Sequence, residues 1–358
     1  MIRVAFYAPL KAPTHAVPSG EREMARNLIA ALQSAGCQVD LVSEFRSLEK
    51  TGQIDVQDAL IRKSNLEARA LVQRAGWDIW VTYHSYYKAP DLIGPTVCAE
   101  LEIPYTVIEA TRASKRLSGP WAAFERRAQA VCDQADVLFY VTERDAVSLR
   151  EHLRADQRLV HLPPFLPWKN LPEKAPSHRD PIILIVGMMR NGDKLASYRI
   201  ASEALQYIAE GSWRVEIVGD GPARQEIEQL LAPLGAKVSF LGQLDREAVL
   251  AAYDRARAFL WPGVNEAFGM VFLEAQAAGV PVVAENRLGL CDVVSSDGMF
   301  SQGNVEALAN ELTLLLNDPK HHARRSRLAR KKIEANHLIG VARETLWGAL
   351  RPLVTEGK

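Results

Sequence analysis

Short runs of β-branched and aromatic residues alternate along this chain with longer stretches of helical period. In the first half the strand-like runs are 2–7, 38–42, 79–82, 105–108, 137–141 and 159–162. Helical spacing separates them, most clearly over 21–33 and 122–135. That alternation predicts βαβ units and parallel sheets. After Leu162 it stops, and Pro163, Pro164, Pro167, Pro172, Pro176 and Pro181 stand among polar residues. Proline neither donates to a strand ladder nor continues a helix, so 166–180 reads as a linker. The alternation resumes with runs at 182–186, 214–218, 238–241, 258–261 and 281–284, and helices are expected from about Lys194, Ala223, Arg246 and Val271. The stretch 333–354 reads as one more helix. The pattern therefore predicts an α/β protein of two doubly wound, Rossmann-like domains, 1–165 and 181–335, facing each other across a cleft. Residues 336–358 are expected to pack back on the first domain. In such folds ligands bind beyond the carboxyl ends of the strands.

Length and composition agree with this picture. At 358 residues the chain exceeds one ordinary core, and two domains of ~150–180 residues are the natural expectation. The 43 basic and 43 acidic residues cancel, which argues against a general nucleic-acid binder, for such proteins carry a basic excess. Cys37, Cys98, Cys132 and Cys291 form no CxxC pair and read as small hydrophobes in a reducing compartment. Met1 leads directly into a strand-like run, with no charged leader and no apolar stretch near 18 residues. The expectation is a cytoplasmic protein, with peripheral contact at the inner face of a membrane left open.

The segment 182–300 carries the most informative residues. Its centre is Asn265-Glu266-Ala267-Phe268-Gly269-Met270, followed by Glu274 and Ala275, so that two glutamates flank seven residues. Ala278-Gly279-Val280-Pro281 follows; Val218-Gly219-Asp220-Gly221-Pro222 and Phe240-Leu241-Gly242-Gln243 precede it. This set resembles glycosyltransferase family 4, whose members have the GT-B fold and retain the anomeric configuration. The resemblance implies that Glu266 holds the transferred sugar and Glu274 the ribose of a nucleotide donor. A carboxylate suits both tasks, because it accepts hydrogen bonds from sugar hydroxyls and can take two vicinal ones at once. The amides of Phe268, Gly269 and Met270 open a helix, and a helix N-terminus favours phosphate oxygens. Gly219 and Gln243 fall, by the same resemblance, on the donor side.

A second constellation is the loop Gly187-Met188-Met189-Arg190-Asn191-Gly192-Asp193-Lys194. The family places an Arg and a Lys here on the donor pyrophosphate, where fixed cations stabilise charge that grows on the leaving group. Arg and Lys fall one residue later than in the common spacing, so Arg190 and Lys194 take these roles only with a one-residue insertion. In the first half, Ser19-Gly20-Glu21 resembles the family's glycine loop with Gly20 alone remaining, and Ser19 suits an N-cap. His84, at the end of a strand-like run, is a further catalytic candidate. Where many members carry a His after the fourth strand, this chain has Glu109, and Glu109 or Arg112 are the substitutes. Arg112, Lys115, Arg116, Arg126 and Arg127, with Trp121 and Phe124, read either as a surface for anionic lipid or acceptor, or as a solvated helix face. No Asp-x-Asp motif and no His or Cys ligand spacing is present, so neither a metal nor a bound cofactor is expected.

The function expected is transfer of a sugar from a nucleotide-diphosphate sugar, most often UDP-linked in the family, to a glycan, lipid or small molecule. A GT-B epimerase or phosphorylase is the alternative within the fold. An NAD-dependent oxidoreductase lacks its GxGxxG turn, and a non-catalytic sugar-binding protein would not need Glu266, Glu274 and Lys194 together.

Overall fold

The computed structural model describes residues 1–17, 19–173, 180–208 and 211–355. It divides into two compact units, Met1–Pro167 with Ile339–Lys358, and Trp168–Leu338. Part of the Pro-rich segment, 174–179 with Pro176, lies outside the described residues, as do Pro18 and 356–358.

The first unit alternates β1 (Arg3–Tyr7), α1 (Gly20–Ser34), β2 (Gln38–Ser43), α2 (Ile54–Arg74), β3 (Ile79–Ser85), α3 (Gly94–Leu101), β4 (Tyr105–Ala110), α4 (Ala122–Gln134), β5 (Val137–Tyr140), α5 (Glu143–Arg150) and β6 (Arg158–His161). The strands pair in parallel in the order β2-β1-β3-β4-β5-β6. Helices cover both faces of such a sheet, so its central strands are apolar throughout instead of alternating. Every residue of β4 is buried, and every residue of β3 except His84. The core gathers Tyr7, Trp80, Val107 and Leu138 from four strands. Helix α1 begins where Ser19 accepts a hydrogen bond from the Arg22 amide at 3.3 Å, with Glu21 and Glu23 facing the positive end of the helix dipole.

The second unit repeats the scheme with β7 (Ile182–Val186), α6 (Asp193–Gln206), β8 (Arg214–Val218), α7 (Arg224–Leu231), β9 (Val238–Gly242), α8 (Arg246–Arg255), β10 (Ala258–Leu260), α9 (Met270–Ala277), β11 (Val282–Glu285), β12 (Met299–Phe300), α10 (Val305–Asn317) and α11 (Pro319–Asn336). All its ladders are parallel, in the order β12-β11-β10-β7-β8-β9. Strand β12 spans two residues, too short to show as a sequence pattern.

The helix expected over 333–354 is corrected. It is two helices, because His337 leaves the helical region (φ −126°, ψ 24°) and ends α11. The next helix, α12 (Ile339–Thr355), belongs to the first unit, where it packs on α1 and Arg158 donates to the Ala349 carbonyl at 3.1 Å.

Each sheet has one place where the strand order reverses. In the first unit it lies between β1 and β3, in the second between β7 and β10. Loops leaving two such neighbours run to opposite sides, and the crevice between them is where doubly wound sheets take ligands.

Candidate active site

In the second unit the two loops at the reversal are 187–192, after β7, and 261–269, after β10. The first is laced to the end of β8: the Gly187 amide donates to the Val218 carbonyl and the Met189 amide to that of Asp220, each at 3.0 Å. A Cβ on Gly219 would stand 1.9 Å from the Gly187 carbonyl oxygen. Loop packing alone therefore demands glycine at Gly219. The second loop is tied to α6, through the Val264 amide to Ser197 Oγ and Asn265 Nδ2 to Asp193 Oδ2, both 2.9 Å. Asn265 adopts φ +51°, a conformation that costs a non-glycine residue and is common at functional loops.

These loops bring Lys194 and Glu266 together. Glu266 Oε1 accepts from Lys194 Nζ and also, at 2.9 Å, from the indole Nε1 of Trp261. The ammonium group lies over the Trp261 ring, 5.4 Å from its centroid. The two charged side chains are 26% and 14% exposed, open enough to reach a ligand and shielded enough for charge to matter. Glu274 lies in the second turn of α9, where the hydroxyl of buried Tyr253 donates to its Oε2 at 3.4 Å. Phe268 and Gly269 lead into α9, whose first residue is Met270. Gln243 is exposed directly after β9. Arg190 is not brought to the pair. Its guanidinium lies on the exposed part of the loop and donates to Met188 Sδ at 2.9 Å.

The first unit holds a separate charged cluster at its own reversal. His84, the sixth residue of β3, points Nδ1 at both carboxylate oxygens of Glu21, in the first turn of α1, at 3.0 and 3.1 Å. Glu109, from β4, lies 3.7 Å from the same nitrogen. His84 and Glu109 have φ of +61° and +60°, so both strands end in strained backbone around this cluster. Burial pulls the imidazole pKa down, but Glu21 and then Glu109 outweigh it and lift it to about 10. Burial raises the Glu109 carboxyl to about 7, against the opposing attraction of His84.

A folded-state value above the unfolded one means that His84 contributes stability fully below about 6.5 and loses it as pH rises through about 10. NMR should accordingly find the His84 ring protonated through pH 8. Glu21→Gln should bring its midpoint down by more than a unit. A wild-type midpoint near 6.5 would contradict the arrangement.

Gly20 is the exposed first residue of α1, next to this cluster. Arg112 does not join it: its side chain is 4% exposed and paired with Asp133. Of the basic cluster read from the sequence, Lys115, Arg126 and Arg127 are exposed, as a solvated face would have them. Arg112 is tied down, Phe124 and Trp121 are buried, and Arg116 rests over the Tyr87 ring. The aromatics thus anchor the helix to its own core and do not face solvent.

Sequence reasoning missed Glu21 and Trp261 as site residues. Glu21 reads as a first-turn acid, and only the β1/β3 reversal shows that it faces His84. Trp261 reads as the end of a strand, though a large donor-bearing side chain five residues before Glu266 was a usable signal. Among the described residues no group of three or more His, Cys, Asp or Glu side chains is placed to hold a metal ion. No described helix is long and apolar enough to cross a membrane.

Residues 168–332, nearly the whole second unit, match the family described as "Glycosyl transferases group 1". The chain is 29% identical over 255 residues to the 2-deoxystreptamine glucosyltransferase of Streptomyces kanamyceticus, covering 64% of this chain and 65% of that enzyme. It thus spans less than two thirds of that relative's length. Among solved structures, sucrose-phosphate synthase from Thermosynechococcus elongatus superposes with a TM-score of 0.76 at 19% identity, over 99% of this chain and all of that one. Anabaena HepE, solved with UDP and glucose, superposes with a TM-score of 0.70 at 15% identity, over 98% of this chain and 100% of that one. Both likenesses establish the fold, two doubly wound units of the GT-B type.

Proposed function

We propose that this chain is a glycosyltransferase that moves a sugar from a nucleotide-diphosphate donor to an acceptor hydroxyl, retaining the anomeric configuration and needing no divalent metal. One observation carries the reading: Lys194 and Glu266 meet at the strand-order reversal of the unit that matches the glycosyltransferase family, with Glu274 on the helix that follows. A cation, a half-buried carboxylate and a second carboxylate on the adjoining helix suit the three parts of such a donor. Lys194 faces the phosphates, Glu266 the sugar and Glu274 the ribose. UDP is the nucleotide favoured, in line with the solved complex of HepE with UDP and glucose.

The reaction breaks the bond between the anomeric carbon and the phosphate oxygen and forms one to the acceptor oxygen. The acceptor proton and the bond's electron pair leave with the nucleoside diphosphate. Catalysis is then mainly electrostatic, through a cation held where the leaving charge develops. Epimerisation of a sugar nucleotide would need no acceptor, and a phosphorolysis would need free phosphate, so an acceptor requirement separates the readings.

The test is a thermal-shift panel of nucleoside diphosphates and nucleotide sugars, followed by turnover with EDTA-treated protein and NMR of the first-formed anomer. A ligand at about 100 times its Kd should add about 2.7 kcal/mol to stability. Transfer should survive EDTA. Inactivation by EDTA that Mn²⁺ reverses, or an inverted product, would show the mechanism to be wrong.

A further inference from the structure

We infer that Trp261 is a positioning residue of this reaction: its indole N–H fixes Glu266, and its ring face carries Lys194. One side chain thereby sets the spacing between the sugar-binding carboxylate and the phosphate-binding cation. The inference rests on the roles given to Glu266 and Lys194 in the proposed function.

Trp261 is the first residue after β10 and is fully buried. The edge of Tyr198, from α6, meets its ring at 5.1 Å between centroids and 77° between planes, and the Tyr198 hydroxyl donates to the Gly187 carbonyl at 2.8 Å. Gly187 itself lies against the indole, since a Cβ there would stand 2.9 Å from Trp261 Cη2. The indole is thus clamped by helix α6, which carries Lys194, and by loop 187–192, which leads into that helix.

A glutamate's terminal torsion is broad, so an unrestrained carboxylate presents either oxygen. Here Oε1 takes two donors, Trp261 Nε1 and Lys194 Nζ. Oε2 accepts no hydrogen bond from the described residues, which leaves it as the oxygen available to an incoming hydroxyl. An aliphatic residue of similar bulk would fill the space but would neither donate to the carboxylate nor attract the ammonium group.

The test replaces Trp261 with 3-benzothienylalanine, which substitutes sulfur for the N–H alone, and separately with Phe. Each is made with Glu266 intact and with Glu266→Ala. With Glu266 intact, kcat and the preference for UDP-sugar over UDP should fall ~10-fold or more, the scale of one hydrogen bond to a charged group. In the benzothienyl protein affinity for UDP should stay within about twofold, since the ring face under Lys194 is kept. In the Glu266→Ala background the benzothienyl substitution should cost nothing further, because the N–H it removes acts through that carboxylate.

Wild-type kcat in the benzothienyl protein, or an undiminished loss in the Glu266→Ala background, would overturn the inference. So would a parallel loss of UDP affinity in the benzothienyl protein. If the unsubstituted protein bound no nucleotide, the glycosyltransferase reading would fail on its own. The Trp261 indole ¹H–¹⁵N resonance then still decides the contact, since Glu266→Ala should shift it upfield and speed its exchange, and an unchanged resonance would refute it.

Discussion

Lys194→Ala is expected to lower the rate of sugar transfer by ~10²–10³-fold, the range typical of one electrostatic stabiliser in a water-poor site. Lys194 lies in the first turn of α6, 26% exposed, with its charge over the Trp261 ring and against Glu266. Bound donor carries its phosphate charge in the ground state, but more accumulates as the sugar–oxygen bond breaks. A fixed cation therefore binds the transition state more tightly than the substrate, so kcat should fall by more than KM rises. Lys194→Arg keeps the charge but not its compact geometry, and should recover only part of the loss. Steady-state kinetics over a donor series measures both terms. A pure KM effect would reassign Lys194 to ground-state binding.

Glu274→Ala should weaken binding of UDP itself by ~1.5–3 kcal/mol, the cost of losing hydrogen bonds to a charged group, or ~10–150-fold in Kd. Glu266→Ala should leave UDP affinity nearly unchanged while impairing transfer, because its partner is the sugar. The contrast follows from position: Glu274 sits in the second turn of α9, on the Tyr253 hydroxyl, whereas Glu266 lies in the loop before it against Lys194. Calorimetric titration of UDP into the two variants separates them. Equal affinities for UDP in wild type and Glu274→Ala would remove the ribose assignment.

How much of this was legible in the sequence depended on whether the signal was local. Strand runs such as Ile182–Val186 and the Glu266-to-Glu274 segment are local, since apolar period and residue spacing sit within a dozen positions. The break at His337 was not, because 333–354 keeps a helical composition across it and only the backbone angles reveal the turn. The pairing of Glu21 with His84 joins residues 63 apart through strand order, and spacing in the sequence carries no trace of it. Gly219 shows the opposite difficulty. Its identity is compatible with phosphate approach, yet the steric demand that the structure displays comes from the neighbouring Gly187 carbonyl. Arg112 and Arg190 are both candidates for the site in the sequence, but Asp133 pins the first and the second lies on the exposed part of its loop.

The position of α12 has a consequence for how the chain acquires its structure during synthesis. The first unit is discontinuous: its final helix is translated only after all of Trp168–Leu338. Until then α1 lacks the helix that packs on it, α12, whose own buried residues include Leu346, Ala349 and Leu350. The unit encoded second is therefore the one able to mature first, and the nascent first unit waits with apolar surface uncovered, a state open to chaperone capture and aggregation. A ribosome-display or arrest-peptide profile should place the folding signal of the second unit ahead of that of the first. Expression of Met1–Pro167 alone should yield a sticky, protease-sensitive fragment that added α12 peptide protects.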